Sequence, residues 1–358
     1  MSKKIKKKVM VAMSGGVDSS VAAALLKDKG YEAIGLTMCF NLPDASTGKP
    51  SCCGAEAIAD AKRVADILDM RHYVLNFGRE LQKQVIADFI QQYSCGLTPN
   101  PCVRCNELIK FETLLQKALG LGMDYLATGH YARIQKFRGR YFLKKARDNK
   151  KDQSYFLYRL TQEKLSRIIF PLGELTKDRV RELARKLKLP VAGKKDSQEI
   201  CFIPGNYQEF LKNRLKGKFS PGNIVDTSGK VLGTHQGIPF YTIGQRDKLG
   251  IACGYPLYVL SLDSRRNELV VGKKEESLKN RFLVKDMIYP SGALKKKTFL
   301  QVRIRHLSVE SAAWVKPSRE KTEVTFKQPC FAITPGQSAV FYKKDSVVGG
   351  GIIEEVLA

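Results

Sequence analysis

A short apolar strand that leads directly into a glycine-rich turn and a helix opens this chain and limits how it can fold. Residues 8–13 (KVMVAM) have the pattern of a buried strand, and the turn SGGVDSS follows at residues 14–20. Apolar residues at helical spacing then continue to Lys29, and Gly30 supplies a helix stop. This order predicts a parallel sheet, because parallel neighbours must be joined by a crossover that is usually helical.

The same alternation of strand and helix continues through the first half of the chain. Further strands are predicted at 31–38, 72–77 and 124–128, and helices at 55–68, 79–93, 106–119, 154–168 and 176–187. A hairpin is predicted at 133–146, with Arg138 and Gly139 at its turn. This βαβα order favours a sheet with helices on both faces.

Helical periodicity ends soon after Gly205. One more helix is predicted at 207–215, and then Pro-Gly and Gly turns separate short strands at 301–304, 312–315, 324–326 and 338–342. We therefore predict three domains: an α/β domain at 1–205, a small central β domain at 206–275 and a C-terminal β-barrel at 276–358. Trp314, the only tryptophan, is expected to pack within the β region.

The SGGVDSS turn has the chemistry of a phosphate loop. Gly15 and Gly16 allow the backbone to approach an anion, and the N–H groups and dipole of a helix start attract one. Asp18 would repel a phosphate, so it is expected either to hold Mg²⁺ or to orient the loop. The turn lacks the GK[ST] of a Walker A loop and does not match GxGxxG. A plain glycine turn with a serine cap is the simpler alternative.

The charge of the chain points to a polyanionic partner. Lys and Arg number 61 and Asp and Glu 35, so the formal net charge is 61 − 35 = +26. Nucleic acid is favoured over an acidic membrane, because no lipidation motif or strongly amphipathic basic helix is found. A hydrophobic content of 43% argues against disorder. No apolar run has the length of a membrane span or a signal peptide, so a cytoplasmic location is expected.

Nine cysteines are too few for a disulfide scaffold in a chain of 358 residues, so their spacing matters more than their number. Cys102 and Cys105 form a CxxC pair in NPCVRCN, just before a predicted helix whose N-terminus would lower a thiol pKa. Cys201 lies in DSQEICFIP. Three roles stay open: buried apolar residues, ligands of zinc or a cluster, and thiols that pass sulfur and then close a disulfide. The first role suits Cys39, Cys253 and Cys330.

Taken together, these motifs resemble those of the tRNA-specific 2-thiouridylase family, within the ATP pyrophosphatases. The resemblance extends along most of the chain. It is carried by SGGVDSS, GLTM (35–38), SCCGAEAIADAKRVA (51–65), LTPNPCVRCN (97–106), ATGHYAR (127–133), KDQSYFL (151–157), DSQEICF (196–202), YTIGQRDKLGI (241–251) and TPGQSAVFY (334–342).

The resemblance implies a Rossmann-like adenine-nucleotide alpha-hydrolase domain and a defined reaction. ATP adenylates the C2 oxygen of the wobble uridine of a tRNA, and persulfide sulfur on a cysteine then displaces AMP. The implied partners are the anticodon arm of Lys, Glu and Gln tRNAs and a sulfur relay protein or cysteine desulfurase. ATP and Mg²⁺ are the implied cofactors.

The resemblance also assigns roles by motif position. Cys105 corresponds to the catalytic nucleophile and Cys201 to the persulfide carrier. The implied ATP-binding residues are Ala12, Met13, Ser14, Gly15, Gly16, Val17, Asp18, Ser19, Met38 and Gly129. The implied contacts to tRNA and its target base are Asn100, Pro101, Cys102, His130, Lys151, Asp152, Gln153, Arg305, His306 and Gln337.

Cys102 departs from the family pattern, since many members carry Asp there. Cys102, Cys105 and Cys201 could together hold a [4Fe-4S] cluster, or Cys102 could merely replace Asp beside a persulfide site. Cys52 and Cys53 recur in the family motif and are expected to start a helix. Two other classes of function account for fewer of the motifs: another pyrophosphate-loop enzyme, and a non-catalytic RNA-binding or iron–sulfur protein. The first does not require NPCVRCN, and the second leaves SGGVDSS and GHYAR unexplained.

Overall fold

The computed structural model describes residues 6–41, 54–195, 200–203 and 205–357. Within them the chain forms two compact units. Unit 1 comprises Met1–Val85, Cys102–Gln198 and Asp345–Val347, and unit 2 comprises Ile86–Pro101, Glu199–Lys344 and Val348–Ala358. No helix among the described residues is both long and apolar enough to cross a membrane.

The helices and strands are numbered in chain order. The α-helices are α1 (Val17–Asp28), α2 (Ala55–Ile67), α3 (Gly78–Leu81), α4 (Ala87–Ser94), α5 (Pro101–Arg104), α6 (Leu115–Gly120), α7 (Gln162–Ser166), α8 (Lys177–Lys186) and α9 (Tyr207–Leu215). Two π-helical segments, Gln82–Ile86 and Cys105–Leu114, join α3 to α4 and α5 to α6. The strands are β1 (Lys8–Ala12), β2 (Glu32–Cys39), β3 (His72–Asn76), β4 (Tyr125–Thr128), β5 (Ala132–Phe137), β6 (Arg140–Lys145), β7 (Ile168–Ile169), β8 (Gly222–Val225), β9 (Val231–His235), β10 (Tyr258–Asp263), β11 (Glu268–Gly272), β12 (Leu278–Ile288), β13 (Thr298–Arg303), β14 (Ser311–Lys316), β15 (Thr322–Phe331), β16 (Ser338–Lys343) and β17 (Ser346–Leu357).

Unit 1 is built on a parallel sheet of order β3-β2-β1-β4-β7. Its central strand β1 is apolar because both faces are covered: Val9 and Val11 are fully buried, as are Val21 and Ala22 of α1. The predicted parallel sheet is confirmed. Since parallel strands end at the same edge, the turns after β1, β2 and β4 meet there, where α/β proteins bind ligands.

Two predicted helices have different bounds in the structure. The helix predicted at 106–119 begins at Pro101 and continues through the π segment to Gly120, because proline suits a first helical position. The helix predicted at 154–168 is wrong. That stretch forms a 3₁₀ turn at Ser154–Leu157 and then the short α7, which restarts where Thr161 Oγ1 accepts a hydrogen bond from Lys164 N.

The predicted hairpin of β5 and β6 is present, and it closes on a late part of the chain within unit 1. Ser346 pairs with Lys144 of β6. The Asp345 carboxylate lies 2.9 Å from the Arg133 guanidinium and 3.0 Å from the Lys144 ammonium. Residues 345–347 are therefore part of unit 1 although they follow most of unit 2 in sequence.

Unit 2 contains a four-stranded sheet, β10-β11-β8-β9, and a closed barrel. The barrel follows the order β12-β15-β14-β13-β16-β17, and pairing of β12 with β17 closes it. Its inward residues, among them Phe282, Val302 and Phe341, are buried. The expected β-rich second half is confirmed, and closure removes the open strand edges of the barrel.

Trp314 packs within the β region, against Phe299, but on the outer face of the barrel and not in its core. Trp314 alternates with the buried Ala313 and Val315 on β14, and so it points out of the barrel with 45% of its surface exposed. A single tryptophan in a β-rich segment suggests a core role, but strand alternation decides which face it occupies.

Candidate active site

The phosphate loop of unit 1 is fixed by close packing and internal hydrogen bonds. Gly15 has φ +68°, and a Cβ there would collide with the Ala57 carbonyl group of α2, so glycine is required. Ser14 N donates to Ser19 Oγ at 3.1 Å. Ser20 is fully buried and donates to the Gly16 carbonyl at 2.8 Å, which removes its hydroxyl from ligand binding. The loop is therefore held in one shape at the start of α1.

Asp18 is clamped by two side chains from later in the chain. The Lys177 ammonium donates to both Asp18 carboxylate oxygens at 2.8 Å, and the Tyr131 hydroxyl donates to Oδ1 at 2.7 Å. Lys177 is only 7% exposed, and it is the first residue of α8, after the N-cap Thr176. Both carboxylate oxygens of Asp18 therefore accept hydrogen bonds from within unit 1. The geometry favours the alternative, in which Asp18 orients the loop.

The turn after β4 lies against the same helix start. A Cβ on Gly129 would lie 2.8 Å from Ser19 N and 2.9 Å from Asp18 C, so only glycine fits. Met38 lies in β2, on the other side of β1, and is partly buried. The first turn of α1, Gly129 and the end of β2 thus border one edge of the sheet.

His130 follows Gly129 and is held in a largely apolar setting. Its Nδ1 shares a hydrogen bond of 2.6 Å with Thr128 Oγ1, and its ring lies 5.8 Å from the rings of Phe111 and Phe170. Burial, and after it the positive charge of Lys110, holds the pKa of His130 well below its ordinary value. The imidazole is therefore neutral at pH 7 and can act as a hydrogen-bond partner but not as a cation.

The segment KDQ at 151–153 has internal roles in unit 1. Asp152 is buried, and its Oδ1 accepts hydrogen bonds from Ala146 N and Ser154 N, both at 3.1 Å. Gln153 Oε1 accepts from Tyr131 N at 2.9 Å, and Gln153 N donates to Tyr131 O at 2.9 Å. Lys151 N donates to Asp148 O at 3.1 Å. These contacts position Tyr131 and its neighbour His130.

Cys102 and Cys105 lie within the helical run that begins at Pro101, three residues apart and so on one face. Cys105 is buried and Cys102 partly so. Burial raises the pKa of both thiols, the proximity of Cys105 further raises that of Cys102, and the charge of Lys110 opposes these effects. The predicted lowering of a thiol pKa at a helix start is therefore wrong, because desolvation outweighs the nearby positive charge.

Cys201 belongs to unit 2 and is exposed. Its neighbours Phe202 and Ile203 are buried. The Phe202 ring lies 5.8 Å from Phe89 of α4 and 5.7 Å from Phe210 of α9, and the latter two rings are 6.2 Å apart. We call Phe89, Phe202 and Phe210 the phenylalanine cluster. It anchors the chain one residue after an accessible sulfur.

The barrel of unit 2 holds the segment that leads to Asn100. Gln337 Nε2 donates to Thr98 O at 3.0 Å and to Pro99 O at 3.4 Å, and Thr98 N donates to Pro335 O at 3.0 Å. Gly336 has φ +92°, and a Cβ there would lie 2.7 Å from Thr98 N. Asn100 is partly exposed and Pro101 buried.

Two further residues assigned to RNA by resemblance lie in the β13–β14 loop. The Arg305 guanidinium donates to the carbonyl groups of Ala332 and Phe331. His306 is partly exposed. Arg305, like Gln337, therefore has a structural partner within unit 2.

Family-model and sequence comparisons with known proteins agree with this architecture. Models described as a tRNA methyl transferase HUP domain, a tRNA methyl transferase PRC-barrel domain and an aminomethyltransferase β-barrel domain match residues 7–205, 208–273 and 279–353. The tRNA-specific 2-thiouridylase MnmA 2 of Clostridium tetani is 50% identical over 355 residues, which cover 98% of this chain and 99% of that protein. The chain belongs to the tRNA-specific 2-thiouridylase family.

Other comparisons differ in what they contribute to this 2-thiouridylase-family assignment. The MnmA 2-thiouridylase of Moorella thermoacetica is also 50% identical, over 97% of this chain and 99% of its own. A solved 4-thiouridine synthetase–RNA complex with bound ATP is 15% identical with a TM-score of 0.35, covering 59% of this chain and 50% of that one. The family resemblance and the Rossmann-like fold expected from the sequence are confirmed.

The predictions of Mg²⁺ and of a [4Fe-4S] cluster stay predictions for this 2-thiouridylase-family chain. Among the described residues, no three or more His, Cys, Asp or Glu side chains stand together as metal ligands. Cys102 and Cys105 belong to unit 1 and Cys201 to unit 2. The seven described cysteines are thiols rather than disulfides, and Cys52 and Cys53 lie outside the described residues.

Sequence reasoning misses three residues that shape this site. Tyr131 stands in the GHYAR motif, but its contact to Asp18 joins residues 113 positions apart. Lys177 stands behind a good N-cap, Thr176, yet nothing local marks it as the partner of Asp18. Lys110 lies on the helical run of Cys105 and raises the local positive potential.

Proposed function

We propose that this enzyme replaces the C2 oxygen of the wobble uridine in tRNA with sulfur, using ATP and a protein persulfide. Family membership supports tRNA thiolation as the activity. One feature of unit 1 carries the assignment to this site. The charge of Lys110 acts on Cys105 and on His130, while Gly129, next to His130, backs the phosphate loop. The proposed nucleophile and the proposed nucleotide site thus have neighbours in common within one unit.

In the first step the uridine C2 oxygen attacks the α-phosphorus of ATP, and pyrophosphate leaves. The start of α1, oriented by the clamped Asp18, would hold the phosphates, because backbone N–H groups and the helix dipole favour an anion there. Ala12–Ser19, Met38 and Gly129 are the proposed nucleotide contacts. Magnesium, when present, would neutralise phosphate charge. Asp18 is not proposed as its ligand.

In the second step the terminal sulfur of a Cys201 persulfide attacks C2, and AMP leaves. AMP is a far better leaving group than an oxide, which is why adenylation must come first. Reducing persulfide sulfur to the level of a thiocarbonyl takes two electrons, which thiols supply as they are oxidised to a disulfide. Cys105 is the proposed nucleophile in this exchange. A thiol reductant then restores the enzyme.

The proposed tRNA contacts combine base recognition with general attraction. Asn100, Pro101, Cys102 and His130 are proposed at the flipped-out base, where edge contacts and stacking select a nucleotide. Lys151–Gln153, Arg305, His306 and Gln337 are proposed along the RNA. The net charge of +26 supports salt-sensitive affinity for the phosphate backbone.

The finer assignments follow from the same resemblance. The proposed substrates are the Lys, Glu and Gln tRNAs, and the proposed donor is a sulfur relay protein or a cysteine desulfurase. The proposed location is the cytoplasm, where ATP and tRNA are found. We propose domain boundaries at 1–205, 206–275 and 276–358, and the three family-model matches lie inside them.

The decisive assay is ATP-dependent sulfur transfer to an unmodified tRNA with a wobble uridine. Labelled persulfide sulfur is expected in 2-thiouridine, with release of AMP and pyrophosphate in equal amounts. The same tRNA with a wobble cytidine is the control and should take up no label. A protein that binds ATP and this tRNA but forms no 2-thiouridine would contradict the proposal. Full activity of iron-free protein would separate the persulfide route from the cluster alternative.

A further inference from the structure

The outer face of the β13–β14 hairpin carries an exposed aromatic pair. Phe299 and Trp314 are direct cross-strand partners, with ring centroids 5.1 Å apart and planes inclined by 57°. They are 47% and 45% exposed. The inward residues of the same strands, among them Leu300 and Val315, fill the barrel core. The barrel core is therefore filled without these two rings, which leaves an aromatic surface partly exposed to solvent.

Lysines surround this aromatic pair. The Lys297 ammonium lies over the Trp314 ring, 5.2 Å from its centroid. Lys295 and Lys296 precede it in sequence and are exposed, as is Lys316 two residues after Trp314. Glu323, which faces Lys316 in the strand register, is ion-paired with Arg281 at 2.9 Å. The face is therefore positively charged around a π surface.

The same hairpin carries positions already assigned to RNA. Its connecting loop contains Arg305 and His306, and between β13 and β14 it also presents Leu307 and Val309, which are 86% and 87% exposed. The Arg305 guanidinium is bound to barrel carbonyl groups, whereas Phe299 and Trp314 are open to solvent. The aromatic pair and the proposed RNA-contacting loop thus belong to the same hairpin.

We propose that Phe299 and Trp314 form a stacking site for an unpaired RNA base, with Lys295–Lys297 bound to the adjoining phosphates. Single-stranded RNA is recognised by this combination, because every base has a π face and every nucleotide a phosphate. A protein partner would have no comparable need for the lysine run. The inference rests on the proposed function only in taking tRNA as the RNA that supplies the base.

Trp314 itself reports on the test, because it is the only tryptophan in the chain. Unmodified tRNA transcript is titrated into the full-length protein while tryptophan emission and its quenching by iodide are followed. Stacking of a base should quench the emission and protect the ring from iodide. Unchanged emission and iodide quenching at saturating tRNA would overturn the proposal. So would a change produced by a cysteine desulfurase or sulfur carrier protein and not by RNA.

Matched variants measure how much the face around Phe299 and Trp314 contributes to tRNA binding. Trp314→Ala should weaken tRNA binding roughly tenfold, raising KM for tRNA more than it lowers kcat, and Trp314→Phe should restore most of the affinity. Tyr73→Ala removes a ring 50% exposed on β3 of unit 1 and should leave binding unchanged. Lys297→Ala should reduce the slope of log affinity against log salt by about one. Wild-type affinity and salt slope in Trp314→Ala and Lys297→Ala would contradict the proposal.

Failure of this inference and failure of the proposed function give different results. A protein that forms no 2-thiouridine but shows tRNA-dependent quenching keeps the stacking site and loses the function. A protein that forms 2-thiouridine with no change at Trp314 keeps the function and loses the stacking site.

Discussion

The proposed catalytic sulfur atoms of unit 1 and unit 2 differ in their exposure to solvent. Cys105 is buried inside a helical run, and burial raises the pKa of its thiol. Cys201 is exposed, and the two residues that follow it are packed down. A buried, protonated thiol resists stray oxidants, whereas an exposed one can be reached by a protein-sized donor. The difference suggests that loading of sulfur and its use on the substrate make separate structural demands.

The phosphate loop of unit 1 and the Cys201 segment of unit 2 are also held by different kinds of contact. In unit 1 polar side chains hold the loop: Lys177 and Tyr131 both donate hydrogen bonds to Asp18. In unit 2, the apolar ring of Phe202 packs next to Cys201 and holds the segment. The phosphate loop is thus fixed by polar contacts, and the Cys201 segment is anchored by packing.

Replacing each sulfur separately gives the largest expected effect. Cys201→Ser and Cys105→Ser should each reduce 2-thiouridine formation to background, for different reasons. Labelled persulfide sulfur should no longer load onto Cys201→Ser but should still load onto Cys105→Ser. The assay is protein-bound label after gel filtration, followed by label in tRNA. Cys95→Ser, which changes another exposed cysteine, is the control and should behave as wild type. If both catalytic variants lost sulfur loading, the proposal that Cys201 alone is loaded and that Cys105 acts later would be contradicted.

Removing the lysine of the loop clamp gives the next largest effect. Lys177→Met leaves the Asp18 carboxylate without its cation. We expect a loss of about 2 kcal/mol in the free energy of unfolding, less than for a fully buried pair because Asp18 is about one-third exposed. KM for ATP should rise roughly tenfold, a factor equivalent to about 1.4 kcal/mol of binding free energy. Urea unfolding and ATP–pyrophosphate exchange measure both.

The clamp has a matched control on the same helix. Arg179 and Glu182 form an exposed ion pair on α8. Arg179→Met should therefore change neither the free energy of unfolding nor KM for ATP measurably. Asp18→Asn combined with Lys177→Met should cost less than the sum of the single changes, since each removes the same contact. Strict additivity would show that the pair does not act as a clamp.

Loosening the anchor of Cys201 is expected to have a moderate effect. Phe202→Ala removes a ring from the phenylalanine cluster and should lower stability by up to about 3 kcal/mol. It should also slow sulfur transfer to tRNA more than sulfur loading, because an exposed thiol needs no fixed position to be loaded. Phe202→Leu should recover most of the stability and most of the rate of sulfur transfer. Tyr255→Ala, at an exposed ring in unit 2, is the control. Equal slowing of loading and transfer would argue against a positioning role.

The smallest expected effect is a shift in pH dependence. The charge of Lys110 opposes the burial that raises the pKa of Cys105, so Lys110→Gln should raise that pKa further. The thiolate then forms at higher pH, and the rising limb of the rate profile moves to the alkaline side with its plateau unchanged. The same change should raise the low pKa of His130, seen by NMR titration of its ring. A limb that moves to lower pH would contradict the assigned electrostatics.

How well the sequence predicts a contact depends on how far apart its two residues lie along the chain. The sheet of unit 1 follows from local patterns, since KVMVAM, SGGVDSS and the apolar spacing of α1 are encoded side by side. The clamp on Asp18 is not predictable in this way, because Lys177 is 159 residues away in sequence. The thiol pKa is predicted with the wrong sign, since a helix start is visible in a sequence but desolvation of Cys105 is not.

Outward and inward faces are equally hard to assign without the structure. The sequence predicts that Trp314 packs the β region, and only the strand register shows that it does so on the outer face. Asp152, Gln153 and Gln337 are predicted to touch RNA, and each is hydrogen-bonded within its own unit. A motif identifies residues that matter, but it does not separate those that touch a ligand from those that hold its neighbours.

Strand β17 determines when each unit can finish folding during synthesis. A ribosome makes β17 after strands β1–β16, yet Ser346 pairs with Lys144 in unit 1, and the rest of the strand closes the barrel of unit 2 against β12. Domains made early in synthesis usually finish folding while the remainder is still emerging. Here neither unit can be complete until β17 has left the exit tunnel, and a truncation before β17 damages both.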